Sequence, residues 1–227
     1  MIIHDIPFPF YKTIMSCSII IGILYVFLSL KNENISKKNI LLFFIFFFII
    51  TYMSAKTYTF VVSGFKKKFL ECGLSSYGGL IGVIISPLIY EKIYPSDKKI
   101  IKYSILSLPL IYSFGKIGCF FVGCCYGIPY NGPFSVTYPH GLNIPLFPIQ
   151  LLESFVFFIL FLFCNTNKNK KNISYITLLL ISILKFSLDF LRYSHIKELI
   201  SSNQIFSVFL FIITAFLNIK KNTIRKK

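Results

Sequence analysis

The feature that most constrains this chain is the recurrence of apolar runs about as long as a lipid bilayer is thick. Its 227 residues are 55% hydrophobic and contain seven such segments. They cover approximately residues 13–30, 40–62, 74–90, 103–118, 148–165, 173–191 and 204–219. Crossing a hydrocarbon core of roughly 30 Å takes a helix of about 20 apolar residues. We therefore predict an all-α, polytopic integral membrane protein with about seven transmembrane helices, built as one membrane-embedded domain over residues 1–227.

The positive charge of the chain lies mainly in the gaps between these segments. The formal net charge is +16. Fifteen Lys and Arg residues fall in the connections on one side and six in those on the other. Because cytoplasmic loops carry the excess of basic residues, this asymmetry predicts an outside N-terminus and a cytoplasmic C-terminus. The basic residues are not interleaved with aromatic ones, and we expect no nucleic-acid binding.

One stretch, residues 115–127, contrasts with the apolar segments around it. It holds Gly115, Gly118, Gly123 and Gly127, so its backbone is expected to approach another helix or a ligand closely. Lys116 lies near the end of an apolar segment, where a cation is costly and is a candidate functional residue. A structural interpretation is also open for Lys116, as it is for Lys56 and Lys185. In it, the ammonium group simply extends to the membrane interface, and this interpretation suits Lys185 best.

The loop over residues 119–147 contains no Asp, Glu, Lys or Arg, and we predict that it is extracytoplasmic. It carries Cys119, Cys124 and Cys125. A zinc site requires four ligands at a recognisable spacing, and His140 is the only further candidate nearby. A disulfide to Cys72 fits an extracytoplasmic location better, and a catalytic thiol is a third interpretation. We therefore expect no metal and no cofactor.

A second glycine-rich stretch lies at the start of the third apolar segment. Gly78 and Gly82 are four residues apart, which favours close helix packing through a face of small residues. The functional interpretation is that backbone at Gly78 and Gly79 approaches a lipid headgroup beside Tyr77.

Three charged residues lie in or next to apolar segments further along the chain. Glu153 lies in the fifth segment, close to Gln150 on the same predicted helix face. It either forms a structural ion pair with Lys116 or Arg192, or acts as a general acid or base. Asp189 and Arg192 are three residues apart, so they either compensate each other or leave the guanidinium group free to bind a phosphodiester.

Taken in order, these stretches resemble the prolipoprotein diacylglyceryl transferase family. The resembling segments are 73–84 (family pattern G-x-S-x-H-G-G-L-I-G), 115–127 (G-R-x-G-N-F-x-N-G-E-x-x-G), 147–153 (H-P-S-Q-L-Y-E), 189–192 (E-F-x-R) and 203–207 (G-Q-I-L-S). Tyr77 stands where the family has His, Lys116 where it has Arg, Cys119 where it has Asn and Cys124 where it has Glu. Lys56 follows Ala at a place where a Gly-Arg pair is expected.

The resemblance implies a bacterial enzyme of the cytoplasmic (inner) membrane. Such an enzyme transfers a diacylglyceryl group from phosphatidylglycerol to the lipobox cysteine of prolipoproteins. The implied partners are phosphatidylglycerol, the prolipoprotein signal peptide and the lipid bilayer. The alternative is a divergent relative that uses another acceptor, or only binds lipid, without modifying prolipoproteins.

The resemblance also suggests roles for individual residues. Tyr77 and Glu153 would flank the reacting thiol, while Lys116 and Arg192 would hold the phosphate as catalytic cations. The predicted phospholipid-headgroup residues are Lys56, Gly78, Gly79, Gly115, Gly118, Cys119, Gly123, Gln150 and Asp189.

Overall fold

Each apolar segment of the sequence corresponds to one α-helix. The structure, a computed structural model, describes residues 8–66, 68–73, 76–95, 99–138, 141–196 and 199–224. The helices in these ranges are α1 (Phe8–Asn32), α2 (Lys37–Val62), α3 (Ser76–Ile93), α4 (Lys99–Val122), α5 (Ile149–Thr166), α6 (Ile173–Asp189) and α7 (Ser202–Ile224). The described ranges contain isolated β-bridges but no strand, and the predicted all-α class is confirmed for them.

Four of the helices are long and apolar enough to cross a membrane. These spans are Tyr11–Asn32, Lys37–Val61, Lys99–Val122 and Ile149–Thr166, and a shorter apolar helix covers Asn203–Ile219. Large apolar side chains on the helix surfaces, such as Leu41, Phe155 and Phe216, are more than 60% exposed. Surfaces of this kind need lipid around them, because water-soluble chains rarely expose contiguous apolar area on this scale. The predicted membrane protein is confirmed at this level.

Two compact units make up the chain, and each has its own packing. The first comprises Met1–Ile23 and Leu106–Lys227, and the second comprises Leu24–Ile105. In the second unit, α2 packs along α3, and two of the three glycines of α3 permit the contact. A Cβ atom on Gly78 would lie 2.5 Å from the Ser54 carbonyl oxygen, and one on Gly82 would lie 2.6 Å from Thr51 Cα. The packing interpretation of these glycines therefore has direct support.

In the first unit, α6 packs against α5 and α7, and an ordered loop follows α4. Within this loop, Val136 and Leu146 exchange two backbone hydrogen bonds of 3.0 and 2.9 Å. The loop also reaches the segment after α6, where Ile128 N donates to Leu191 O at 3.0 Å and Tyr193 N donates to Tyr126 O at 2.9 Å. These bonds fix the backbone on both sides of Arg192. The uncharged loop predicted from the sequence thus forms a folded cap at one end of the helices of this unit.

Candidate active site

Three charged side chains of the first unit meet in a buried cluster. Lys116 Nζ forms an ion pair with Glu153 Oε2 at 2.7 Å, but the angles of this contact are not those of a hydrogen bond. Arg192 Nη2 donates a hydrogen bond to Glu153 Oε1 at 2.6 Å. The side chains of Lys116, Glu153 and Arg192 are 7%, 2% and 13% exposed. A buried carboxylate is strongly unfavourable unless it is paired. The ion-pair interpretation of Glu153 is therefore favoured, with both predicted cations as its partners.

Different elements bring these three side chains together. Lys116 lies in the last two turns of α4, and Glu153 lies just over one turn into α5. Arg192 follows the end of α6 and is held by a backbone bridge to Gly127. A Cβ atom at Gly127 would lie 2.2 Å from the Phe147 carbonyl oxygen, so only glycine allows the loop to close at this point.

Tyr112 and Lys185 also belong to the cluster, although Tyr112 was not predicted from the sequence and Lys185 was expected at the membrane interface. The Tyr112 hydroxyl donates to Glu153 Oε1 at 3.1 Å and accepts from Arg192 Nη2 at 3.4 Å. Lys185 Nζ lies 4.7 Å from the centre of the Tyr112 ring, in a cation–π contact. Lys185 therefore faces the cluster and does not extend to the inner interface as we expected. The sequence spacing could have identified both residues. Tyr112 lies four residues before Lys116 and Lys185 lies four residues before Asp189, about one helical turn in each case.

Asp189 anchors the chain where α6 ends. Its Oδ1 lies 3.4 Å from Arg192 Nε and accepts from Asn203 Nδ2 at 3.3 Å. Its Oδ2 accepts a hydrogen bond from Ser201 Oγ and lies 3.1 Å from His195 Nε2. A carboxylate with four partners keeps Arg192 in place, and a headgroup role for Asp189 remains a prediction.

The three neighbouring cysteines form a second cluster. The Sγ atoms of Cys119, Cys124 and Cys125 all lie within 4.8 Å of one another. Left-handed backbone at Gly123 (φ 67°) and Cys125 (φ 56°) turns the chain back toward the end of α4 and makes this possible. All six cysteines are free thiols, including the buried Cys72, so the disulfide that the sequence favoured is not formed.

Hydrogen bonds within the cysteine cluster make its thiols unequal. Hydrogen bonds from Cys119 and Cys124, together with the positive charges of Lys116 and Arg192, lower the pKa of the Cys125 thiol well below its usual range. Hydrogen bonding to the two other cysteines raises the pKa of Cys124. Cys125 is therefore the thiol that loses its proton more readily, and Cys124 the one that keeps it.

Gln150 links the cysteines to the ionic cluster. It is 1% exposed and lies in the first turn of α5, near Glu153. Its Nε2 donates to the Cys124 carbonyl oxygen at 2.7 Å, whereas its Oε1 has no hydrogen-bond partner among the described residues. A buried acceptor without a donor is unfavourable, so this oxygen indicates a place for a ligand hydroxyl or amide.

The glycines of the α4 stretch have packing roles in the first unit. A Cβ atom on Gly115 would lie 3.5 Å from Met15 Sδ, and one on Gly118 would lie 3.1 Å from Ile14 Cγ2. A Cβ atom on Gly123 would lie 2.6 Å from the Tyr138 ring. These contacts explain why small residues occur here, and headgroup roles for the three glycines remain predictions.

The remaining predicted site residues belong to the second unit. Lys56 is buried, and its Nζ donates to the Leu70 carbonyl oxygen at 2.8 Å. A Cβ atom on Gly79 would meet no other atom within 4 Å. Tyr77 is part of α3, but its side chain lies outside the described residues. The predicted roles of Lys56, Tyr77, Gly78 and Gly79 stay predictions.

Apolar helices enclosing a buried ionic cluster at their ends define a membrane-embedded protein with a polar site. The family profile described as prolipoprotein diacylglyceryl transferase matches residues 1–220, and the chain belongs to this family. The sequence prediction of the family is thereby confirmed, and the chain is a member of a transferase family.

Relatives from several bacteria are named phosphatidylglycerol–prolipoprotein diacylglyceryl transferase. The Clostridium tetani protein is 33% identical over 161 residues, which are 66% of this chain and 65% of that protein. The Finegoldia magna protein is 25% identical over 96% of this chain and 93% of its own length. The Clostridioides difficile protein is 28% identical over 84% of this chain and 81% of its own length. The matched region thus spans slightly less than two thirds of the Clostridium tetani protein and most of the other two.

Proposed function

We propose that this chain transfers a diacylglyceryl group from phosphatidylglycerol to the lipobox cysteine of prolipoproteins. Membership of the family and the names of the relatives support this activity over a lipid-binding role without turnover. The observation that carries the proposal is the buried cluster of Lys116, Glu153 and Arg192. It supplies fixed cations among apolar helices, where the phosphate of a lipid substrate requires them.

The cluster has donors to spare for a phosphate group. Arg192 contacts its described partners through Nη2 and Nε, so Nη1 remains available to a ligand. Lys116 has three ammonium hydrogens and a single described carboxylate partner. The unpaired Gln150 Oε1 is a suitable acceptor for a hydroxyl of the glycerol headgroup. Phosphate and glycerol are the two polar parts of phosphatidylglycerol.

In the proposed reaction, the acceptor thiolate attacks a glycerol carbon of the lipid. A carbon–sulfur bond forms, the carbon–oxygen bond to the phosphate breaks, and glycerol phosphate leaves with the electron pair. Lys116 and Arg192 stabilise the negative charge that grows on the leaving oxygen. Glu153 has a cation at each oxygen, so we assign it the positioning of both cations. Tyr77 remains the residue that we propose lies beside the reacting thiol.

The proposed topology places this chemistry on the extracytoplasmic side of a bacterial cytoplasmic membrane. With seven spans and an outside N-terminus, the loop after α4 and the segment after α6 both lie outside. A fluorescent protein that folds only in the cytoplasm tests this arrangement when it is fused after residue 227 or inserted in the loop. Fluorescence from the C-terminal fusion alone is expected. Fluorescence from the loop insertion would overturn the orientation.

Complementation of a strain depleted of its own transferase tests the activity. We expect growth, with a diacylglyceryl-modified cysteine on a reporter lipoprotein detected by mass spectrometry. Lys116→Ala and Arg192→Ala should each lower the modification rate roughly 100- to 1,000-fold, the cost of removing one transition-state donor. Lys92→Ala removes an exposed cation and serves as the control. An unmodified cysteine, with the protein present in the membrane, would favour another acceptor or lipid binding alone.

A further inference from the structure

The cysteine cluster has the dimensions of a metal–thiolate site. Its three sulfur atoms lie within 4.8 Å of one another. In a tetrahedral zinc site with Zn–S bonds of about 2.3 Å, sulfur atoms are separated by about 3.8 Å. The sulfur separations therefore exceed the tetrahedral value by no more than about 1 Å. The loop that carries Cys124 and Cys125 is already held in place, because Gln150 donates to the Cys124 carbonyl oxygen.

The charges near the cluster favour the same interpretation. A divalent cation bound by three thiolates forms a complex with a net charge of −1. Lys116 and Arg192 lie near enough to Cys125 to act on it electrostatically, and their positive charges would stabilise an anionic complex at the three sulfur atoms.

We propose that Cys119, Cys124 and Cys125 bind one thiophilic divalent cation of the Zn²⁺ class, whose fourth coordination position receives the acceptor cysteine. Three protein ligands with an open position are the arrangement of catalytic zinc sites, whereas structural sites are closed by four. Cys125 is exposed and Cys124 is half-buried, so a thiol can reach the fourth position. The acceptor part of the proposal rests on the proposed transferase function.

Metal coordination would supply the deprotonation of the acceptor thiol, for which neither Glu153 nor Asp189 is free. Both carboxylates are engaged by cations. A thiol that coordinates zinc loses its proton to solvent and remains nucleophilic as a thiolate. The bound thiolate then attacks the glycerol carbon, and glycerol phosphate departs with the electrons of the broken carbon–oxygen bond. The thioether product binds the metal weakly and is released, and no atom changes its oxidation state at the metal.

Metal analysis of the purified full-length protein tests the site without requiring activity. After reconstitution with Zn²⁺ under reducing conditions and gel filtration, we expect one zinc per chain. Loss of a group that hydrogen-bonds a metal ligand costs about 10- to 100-fold in metal affinity, so replacing a ligand itself should cost at least that much. We therefore expect Cys119→Ser, Cys124→Ser and Cys125→Ser each to lose the stoichiometric metal, while Cys17→Ser retains it. Removal of the metal from the wild type by a chelator, followed by its return, separates loss of the site from misfolding of a variant.

Cobalt substitution reports the coordination geometry and the fourth ligand. The Co²⁺ protein should show thiolate-to-metal charge-transfer absorption and tetrahedral d–d bands. A synthetic acceptor peptide with its cysteine should change these bands, whereas the same peptide with serine should not. Absence of metal from the wild type, tight binding of Cu⁺ in preference to Zn²⁺, or a disulfide within the cluster in the native membrane would overturn the metal site. Stoichiometric zinc with no spectral response to the peptide would overturn the acceptor part.

The same preparations distinguish this proposal from the transferase function. Metal bound at the three cysteines and a response to the peptide, without lipidation in the complementation assay, would contradict the proposed function and leave the metal site standing. Full lipidation by the chelated protein, or by the three serine variants, would contradict the metal-assisted step and leave the function standing.

Discussion

Replacement of Glu153 by glutamine is the most informative single change in this protein. Gln keeps the volume of the side chain and can still accept the hydrogen bond from Tyr112, but it removes the negative charge. Lys116 Nζ and Arg192 Nη2 lie 2.7 and 2.6 Å from the Glu153 oxygens. Each pair has a gross Coulomb attraction of about 6 kcal/mol at an effective dielectric constant of 20. Most of that attraction offsets the cost of burying the charges, and its loss leaves two cations in a site that excludes most water.

The expected net cost is about 3–5 kcal/mol, which is the range for breaking a buried ion pair by removing one partner. This corresponds to a decrease of roughly 100- to 5,000-fold in the folding equilibrium constant. Reversible unfolding in mixed detergent micelles, followed by circular dichroism, measures it. The matched control is Glu71→Gln, since Glu71 is exposed and lies 3.9 Å from the exposed Lys68. An exposed pair of this kind contributes within about 0.5 kcal/mol.

A double-mutant cycle tests the physical cause. If the cost of Glu153→Gln comes from the unpaired cation at Lys116, adding Lys116→Met should relieve part of it. The double variant should then be more stable than the sum of the single changes predicts, by about 0.5–3 kcal/mol. Additive effects, or a Glu153→Gln variant as stable as Glu71→Gln, would refute the ion-pair interpretation. Glu153 would then be a free carboxyl group, and the predicted acid–base role would regain support.

Three further changes test other parts of the molecule. Gly127→Ala should destabilise the protein by about 1–3 kcal/mol in the same unfolding assay and should slow lipidation, because the new Cβ atom would lie 2.2 Å from the Phe147 carbonyl oxygen. The control is Gly73→Ala, which should have little effect because a Cβ atom at Gly73 has open space. Gln150→Leu should raise the KM for phosphatidylglycerol more than it lowers kcat, and equal effects on both would argue against a headgroup contact. Hydrogen bonds from Lys99 and Tyr103 lower the pKa of Glu33 to about 2. Its stabilising contribution is therefore complete above its ordinary pKa of about 4.5, and it is lost as the pH falls toward 2. The difference in melting temperature between the wild type and Glu33→Gln should shrink over that range, and a constant difference would contradict the pairing.

The sequence predicted the helices well because span length and hydrophobicity act locally. Each of the seven apolar segments became one helix, and the polar connections ended them within a few residues of the expected positions. The chemistry of the first cluster was also accessible from the sequence, since a lysine, a glutamate and an arginine near the ends of apolar segments need partners. One of the two interpretations of Glu153 paired it with Lys116 or Arg192. That interpretation anticipated contacts with residues that lie 37 and 39 positions away in the sequence.

The convergence of the three cysteines was not predicted from the sequence. The spacing of Cys119, Cys124 and Cys125 suggests no metal site when it is compared with paired zinc-binding motifs. Their sulfur atoms converge because α4 ends at Val122 and the chain then turns through left-handed backbone at Gly123 and Cys125. A non-glycine residue such as Cys125 rarely adopts that conformation, so local sequence preference does not predict it. Tyr112 was missed and Lys185 was assigned to the interface for a related reason, because the contacts of both residues depend on which faces the neighbouring helices present.

The loop after α4 explains how the ionic cluster and the cysteine cluster are held at the same end of the helices, although burying charged groups is unfavourable. Gly127 bridges the backbone of Arg192, and two residues earlier the same segment presents Cys125. A displacement of this segment would therefore move the thiols together with the guanidinium group that we propose binds phosphate, and its effect on lipidation would exceed its effect on stability. Apart from its cysteines, the loop contains no Asp, Glu, Lys or Arg, so the rest of it influences the chemistry through backbone hydrogen bonds and packing. Substitutions of residues 126–138 and 141–147 by other uncharged residues should consequently behave as active-site changes when they leave the helices intact, although they neither add nor remove a charge at the site.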